Sequence, residues 1–239
     1  MKRYPELDIL RSLAVIGMIV YHAAFDLQVF YGVAINVNQG AWKIFQVTVA
    51  SVFLLLVGIS FAISYNRTTA AKRRFKVLKR GLLLLGCGML VSIATYTADP
   101  DTYVRFGILH MIGVSILLLP IFVPLKRWNL GVAAILLVLS QWVSSMRIAT
   151  SLLLPFGLMS PHFRTVDYFP LIPWFGVVLI GLVIGQTLYV DHLIWRKNLP
   201  SIKAESRTLE AALTFPGRYA LIIYLLHQPI LLTVLSIFL

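Results

Sequence analysis

Arg11, His22 and Asp26 are the residues of this sequence whose types and spacing point most directly to chemistry. A helix advances about 100° and about 1.5 Å per residue, so Asp8, Arg11, His22 and Asp26 fall within an arc of about 60° on one side of a single helix. Asp26 stands one turn beyond His22. At that spacing a carboxylate can hold one imidazole nitrogen and raise the basicity of the ring, which predicts a general base able to deprotonate an acceptor. The competing reading of the same pair is a hydrogen bond between helices that only fixes packing.

The stripe lies in an unusual setting. Of the 239 residues 59% are apolar and 13% charged, and the mean hydropathy is +0.86. That balance excludes a water-soluble domain and makes the bilayer the solvent. Crossing the roughly 30 Å hydrocarbon core takes about 20 mostly apolar residues. Seven such segments are present: 9–30, 44–65, 81–98, 106–125, 130–146, 169–190 and 220–239. The apolar run 148–159 is too short to span and is broken by Pro155 and Gly157, so it predicts an interfacial or re-entrant piece. Asp8, Arg11, His22 and Asp26 interrupt the first segment, and no small-residue cleavage site follows it, so it reads as a retained helix and not a signal peptide. The predicted fold is therefore all-α, a polytopic membrane helix bundle of about seven transmembrane helices, forming a single domain over residues 1–239. Ionisable groups in such a span are expensive, so the stripe of the first helix is expected to face the bundle interior. The single cysteine, Cys87, allows no internal disulfide and no cysteine-based metal cluster.

A net charge of +12 would suit nucleic acid if it were spread over a soluble surface. Instead Lys and Arg crowd alternate links: Arg67 to Arg80 after the second segment, Lys126 and Arg127 after the fourth, and Arg196, Lys197, Lys203 and Arg207 after the sixth. The positive-inside rule then predicts a cytoplasmic N-terminus and an external C-terminus in a multi-pass plasma-membrane protein, with anionic lipid as a partner and no nucleic acid. In this frame Arg11 lies near the cytoplasmic end, and His22 is about 16 Å further out by the helical rise. An extended pantetheine arm has a similar reach, so a cytoplasmic acyl-coenzyme A could rest its phosphates at the basic end and present its thioester to His22. Lys79 and Arg80, leading into the third segment, are candidates with Arg11 for those phosphates. His110, Asp167 and Tyr168 share the outer level with His22, as do Arg105 and Arg164, and form a candidate acceptor site; for Arg105, Arg164 and Asp167 the plainer alternative is anchoring at the interface. His227, next to Gln228 and Pro229 in the last segment, either lines the acyl or pantetheine channel or satisfies a backbone group freed by the proline. Pro170 and Pro173 predict an irregular start to the sixth segment. Gly81, Gly86 and Gly88 read as a small-residue packing seam.

The first segment, with Arg11 inside LDILRSLA (7–14) and His22 following that arginine after ten intervening residues, resembles the first-helix signature of acyltransferase-3-like membrane acyltransferases. Five further strings, HAAFDL (22–27), FLLLVGISFAISYN (53–66), FGILH (106–110), DYFPLIPWFG (167–176) and YLLHQP (224–229), are more similar to bacterial relatives of heparan-alpha-glucosaminide N-acetyltransferase. The resemblance runs from end to end of the chain. It implies a multi-pass enzyme that takes acetyl groups from cytoplasmic acetyl-coenzyme A and places them on an amino sugar or glycan at the far side of the membrane, as an N- or O-acetyltransferase that needs no metal. The lysosomal member carries asparagine at the position of His22, and its catalytic histidine lies in the next non-cytoplasmic loop. Aligned through Trp42, that place falls near Gln39, which joins the candidates for acceptor binding. The base has either moved to His22 or serves a different acceptor.

Two other functions fit parts of the pattern. His22, His110 and His227 on different helices could clamp haem b in an electron carrier, although the usual pairs of histidines on common helices are missing. Asp26 and His22 could also relay protons in a coupled transporter, for which no inverted repeat speaks. A homo-oligomer is compatible with either function and with the acetyltransferase.

Overall fold

A computed structural model describes residues 4–148, 150–191 and 206–238, without the side chains of Ser206 and Arg207. Lys2, Arg3, Arg196, Lys197, Lys203 and the side chain of Arg207, which bear on the predicted topology, lie outside that description. Eight α-helices follow in order among the described residues: α1 (Pro5–Tyr31), α2 (Gly40–Arg67), α3 (Ala70–Ala98), α4 (Ile108–Phe122), α5 (Asn129–Val143), α6 (Leu171–Ile184), α7 (Ser206–Arg218) and α8 (Ala220–Phe238). There is no β-strand among these residues, only two isolated bridges. The all-helical membrane fold expected from composition is the fold observed.

Six stretches are long and apolar enough to cross a membrane. One of them, Ile108–Val143, covers 36 residues. A straight helix of that length would extend about 54 Å, well beyond the roughly 30 Å core. It is not straight: a 3₁₀ stretch, Val123–Trp128, joins α4 to α5, and Lys126 inside it is non-helical at φ 47° and ψ −126°. The fourth and fifth predicted segments are the two limbs of this broken helix. Pro124 cannot donate to the ladder there, and the Asn129 amide donates to the Phe122 carbonyl at 2.8 Å, so a buried polar side chain covers an exposed helix end.

The piece between α5 and α6 folds back on itself and does not span. Ile148 N–H donates to the Met159 carbonyl, and a short 3₁₀ turn, Leu154–Phe156, lies between them. The start of α6 is irregular as its two prolines predict: Ile172 is extended and the Ile172–Pro173 bond is cis.

The chain divides into two compact units, Met1–Phe53 with Asn198–Leu239, and Leu54–Lys197. In the first, α1 packs against α7 and α8. In the second, α3 packs on α4, α5 on α6 and α4 on α6. Helices in lipid gain little from hydrophobic exclusion, so close packing has to come from small residues and backbone approach. A Cβ on Gly58 of α2 would strike the Val178 carbonyl of α6, and one on Gly181 would strike the Leu55 carbonyl. These two glycines form the tightest crossing of the second unit. Of the predicted seam in α3, Gly81 meets Leu117 and Gly113 of α4 and Gly88 meets His110, whereas Gly86 faces open space.

Candidate functional site

Two groups of polar side chains stand out, one in each unit. In the first unit α1 supplies His22 and Asp26, and α8 supplies His227 and Gln228. The imidazoles of His22 and His227 meet edge to face with ring centroids 4.7 Å apart. His22 Nδ1 lies 2.9 Å from the Met18 carbonyl oxygen and His227 Nδ1 lies 2.6 Å from that of Tyr224. A carbonyl only accepts, so both Nδ1 atoms carry protons, and in the neutral rings the lone pair falls on Nε2. His227 Nε2 is buried and has no partner among the described residues. Such a nitrogen in an apolar interior is available for a proton or an incoming group.

Asp26 is fully buried. Its expected hydrogen bond to His22 is not formed. Helical geometry lets the His22 ring turn back to its own i−4 carbonyl, and Asp26 Oδ1 instead accepts from Gln228 Nε2 at 2.7 Å, leaving Oδ2 without a partner among the described residues. Gln228 is the residue that sequence reasoning did not weigh. The available signal was an amide directly after a histidine in an otherwise apolar span. Gln39 is exposed at the entrance to α2. Its loop is anchored to α1, since Val37 is buried with Tyr21 and Ala24 and its N–H donates to Gln28. Arg11 is paired with Asp8 at 2.7 Å, so its charge is shared with a neighbour on α1.

In the second unit the links before α4 and before α6 are tied together. Phe169 N–H donates to Phe106 O at 3.0 Å, and Val166 N–H donates to Thr102 O at 2.9 Å. Asp167 Oδ2 accepts from Ile108 N–H at 3.0 Å, at the first turn of α4, where helical N–H groups have no partner of their own. A Cβ at Gly107 would crowd that carboxylate, so a larger residue there would have to displace it. Tyr168 donates its hydroxyl to the Leu154 carbonyl at 2.7 Å, and burial pushes its ionisation up to about 12. His110, one turn into α4, is buried, stacked on Phe106, and has no hydrogen-bond partner on either ring nitrogen among the described residues. Asp167 and Tyr168 thus hold backbone, while His110 keeps its nitrogens unused.

Burial raises the Asp167 carboxyl to about 6, against an ordinary 3.8, with the Ile108 N–H opposing the shift. A carboxyl whose folded value is raised binds its proton more tightly in the folded chain, so its contribution to stability is complete below the unfolded value and is lost as pH rises toward the folded one. Melting in detergent should therefore weaken between about pH 4 and about pH 6 and level off above. Asp167→Asn, which keeps an oxygen for Ile108, should flatten that slope. Asp167→Ala should cost about 1 kcal/mol, as the loss of a helix cap does. An unchanged slope in Asp167→Asn would assign the pH dependence elsewhere.

A basic recess, also in the second unit, is lined by Tyr65, Thr68, Arg73, Lys76 and Arg80. Arg73 Nε donates to the Tyr65 and Thr68 carbonyls at the end of α2 and its guanidinium lies 4.6 Å from the Tyr65 ring, while Lys76 donates to the Thr68 hydroxyl. Arg80 was expected at an anion site. Lys79 is exposed and not part of the lining. Among the described residues no group of three or more His, Cys, Asp or Glu is arranged to hold a metal ion.

These features define a multi-pass α-helical membrane protein with buried imidazole, carboxylate and amide groups at helix contacts. Residues 3–229 match the family model of the heparan-alpha-glucosaminide N-acetyltransferase catalytic domain. The chain belongs to that family, the narrower of the two resemblances seen in its sequence. Neither the curated proteins nor the solved structures yield a match.

Proposed function

We propose that this protein transfers an acetyl group from cytoplasmic acetyl-coenzyme A to an amino sugar or glycan at the extracytoplasmic side, with residues 1–239 acting as one catalytic domain. The observation that carries this reading is the His22–His227 pair, whose Nδ1 protons are committed to backbone carbonyls so that Nε2 is the working nitrogen. His22 takes the proton of the acceptor amine or hydroxyl as it attacks the thioester carbonyl, and the coenzyme thiolate leaves. Asp26, fixed by Gln228, places a buried carboxyl one helical turn from His22. His110 and Gln39 remain the acceptor candidates, with Asp167 and Tyr168 shaping the turn that carries His110.

The phosphate end of the coenzyme suits the basic recess. No Asp or Glu occurs between Asp26 and Asp99, so α2 and α3 contribute cations to the recess and no carboxylate. The double substitution Lys76→Gln, Arg80→Gln should raise the KM for acetyl-coenzyme A about tenfold at low salt, less at high salt, with kcat little changed. Equal KM values in the variant and the parent would place the phosphates elsewhere.

The decisive test is acetyl-coenzyme A binding and turnover by the purified protein. No binding would remove the acetyltransferase reading. A Soret band would then favour haem, and substrate-dependent proton flux a transporter. A porphyrin between His22 and His227 is already disfavoured, since the two rings touch.

A further inference from the structure

Arg105 is a half-buried cation in the link before α4. Its guanidinium lies over the rings of both Tyr103 and Phe163, with centroids at 5.0 and 5.3 Å. Its Nε is buried without a hydrogen-bond partner among the described residues. Aromatic faces satisfy the flat sides of a guanidinium, but its N–H groups lie in the plane and point past the rings. The Nε–H is thus a buried donor without an acceptor among the described residues, on a guanidinium edge whose chemistry suits a planar or tetrahedral oxyanion.

Two carboxylates of the links around Arg105, Asp167 and Asp99, have partners of their own. Asp167 accepts from Ile108 N–H, and Asp99 accepts from the Thr102 hydroxyl and from Asp101 N–H. No ion pair to Arg105 occurs among the described residues. Its backbone position is fixed as well, because Val166 to Thr102, Thr165 to Tyr103 and Phe169 to Phe106 hydrogen bonds bracket it on both sides. Tyr96 packs edge to face on Tyr103 and Tyr168 on Phe163, which extends the aromatic wall around the cation. A pre-positioned cation with an open edge, set among rings on which sugar C–H faces can stack, is a binding site and more than an interfacial anchor.

We infer that Arg105 receives an oxyanion substituent, such as a phosphate, sulfate or carboxylate, carried by the acceptor sugar. The inference rests on the acetyltransferase reading for the identity of the acceptor and on the Arg105 geometry for its charge. A lipid headgroup offers the same phosphate chemistry, so the test separates the two sources.

In phosphatidylcholine nanodiscs, kcat/KM would be measured for glucosamine and glucosamine 6-phosphate with the wild type, Arg105→Gln and Arg105→Lys. Binding of both sugars would be read separately by calorimetry. The expected result is a preference of about tenfold or more for the phosphorylated sugar in the wild type, abolished in Arg105→Gln and partly kept in Arg105→Lys, read as the ratio of the two kcat/KM values within each protein. Equal use and equal binding of the two sugars by the wild type, or a preference that survives in Arg105→Gln, overturns the inference. A preference for the phosphorylated sugar that disappears when anionic phosphatidylglycerol replaces zwitterionic phosphatidylcholine, and does not return at high salt, makes an anionic lipid headgroup the occupant and overturns it too. Tighter binding of the phosphorylated sugar that depends on Arg105, without turnover of either sugar, upholds the anion site and sinks the acetyl-transfer reading instead.

Discussion

Alanine at His22 is expected to lower acetyl transfer by about 10²- to 10⁴-fold, the range usual when a general base is removed. Binding of acetyl-coenzyme A should persist, because the recess proposed for its phosphates is lined by other residues. The loss should thus appear in kcat with the KM for the coenzyme nearly unchanged. His227→Ala should give a smaller defect if His227 only orients His22 through the ring contact, and a comparable one if its partnerless Nε2 also handles a proton. Rapid quenching with labelled acetyl-coenzyme A, omitting the acceptor, separates direct transfer from an acetyl-imidazole: label on the wild type that is missing in His22→Ala makes His22 the nucleophile. Wild-type turnover by His22→Ala would move the base away from α1 altogether.

Leucine at Gly181 is expected to prevent stable assembly of the second unit. The added side chain meets the Leu55 backbone of α2, and Gly58 on the other side already rests on Val178 and Leu182. Overpacking against flexible side chains costs about 1–3 kcal/mol; where the obstacle is backbone on both helices nothing local can give, and the loss should exceed that range. The yield of monodisperse protein in detergent and its melting temperature report the effect. Gly86→Leu is the control, because nothing lies within 4 Å of a Cβ at that position. Equal melting of Gly181→Leu and wild type would mean that α2 and α6 do not cross where the structure puts them.

Much of the architecture was legible in the sequence because hydropathy in a membrane protein is a one-dimensional signal. Backbone groups in lipid must be satisfied within the helix, so an apolar run of the right length has few alternatives. The seven segments, the non-spanning 148–159 piece and the irregular entry to α6 were accessible on those grounds. The separation of α4 from α5 was accessible too, since Pro124 and the polar run Lys126, Arg127 break the pattern. The added helix α7 was not. Its amphipathic pattern is too short to span and lies in a link that reads as a polar connection.

At the site, sequence decided which residues are costly in a bilayer, and that made His22, Asp26, His110 and His227 candidates: each is a polar exception in an apolar run, visible without coordinates. Partner choice was decided by tertiary structure. Spacing on one helix suggested Asp26 for His22, yet His22 turned to the Met18 carbonyl and Asp26 to Gln228, over 200 residues away in the chain. The same holds for Asp167, which caps α4 from 59 residues away, and for Arg105, whose flanking rings come from two different links. Helical periodicity fixes which side chains share a face, whereas hydrogen bonds are short and directional and depend on which neighbouring helix or loop comes within reach.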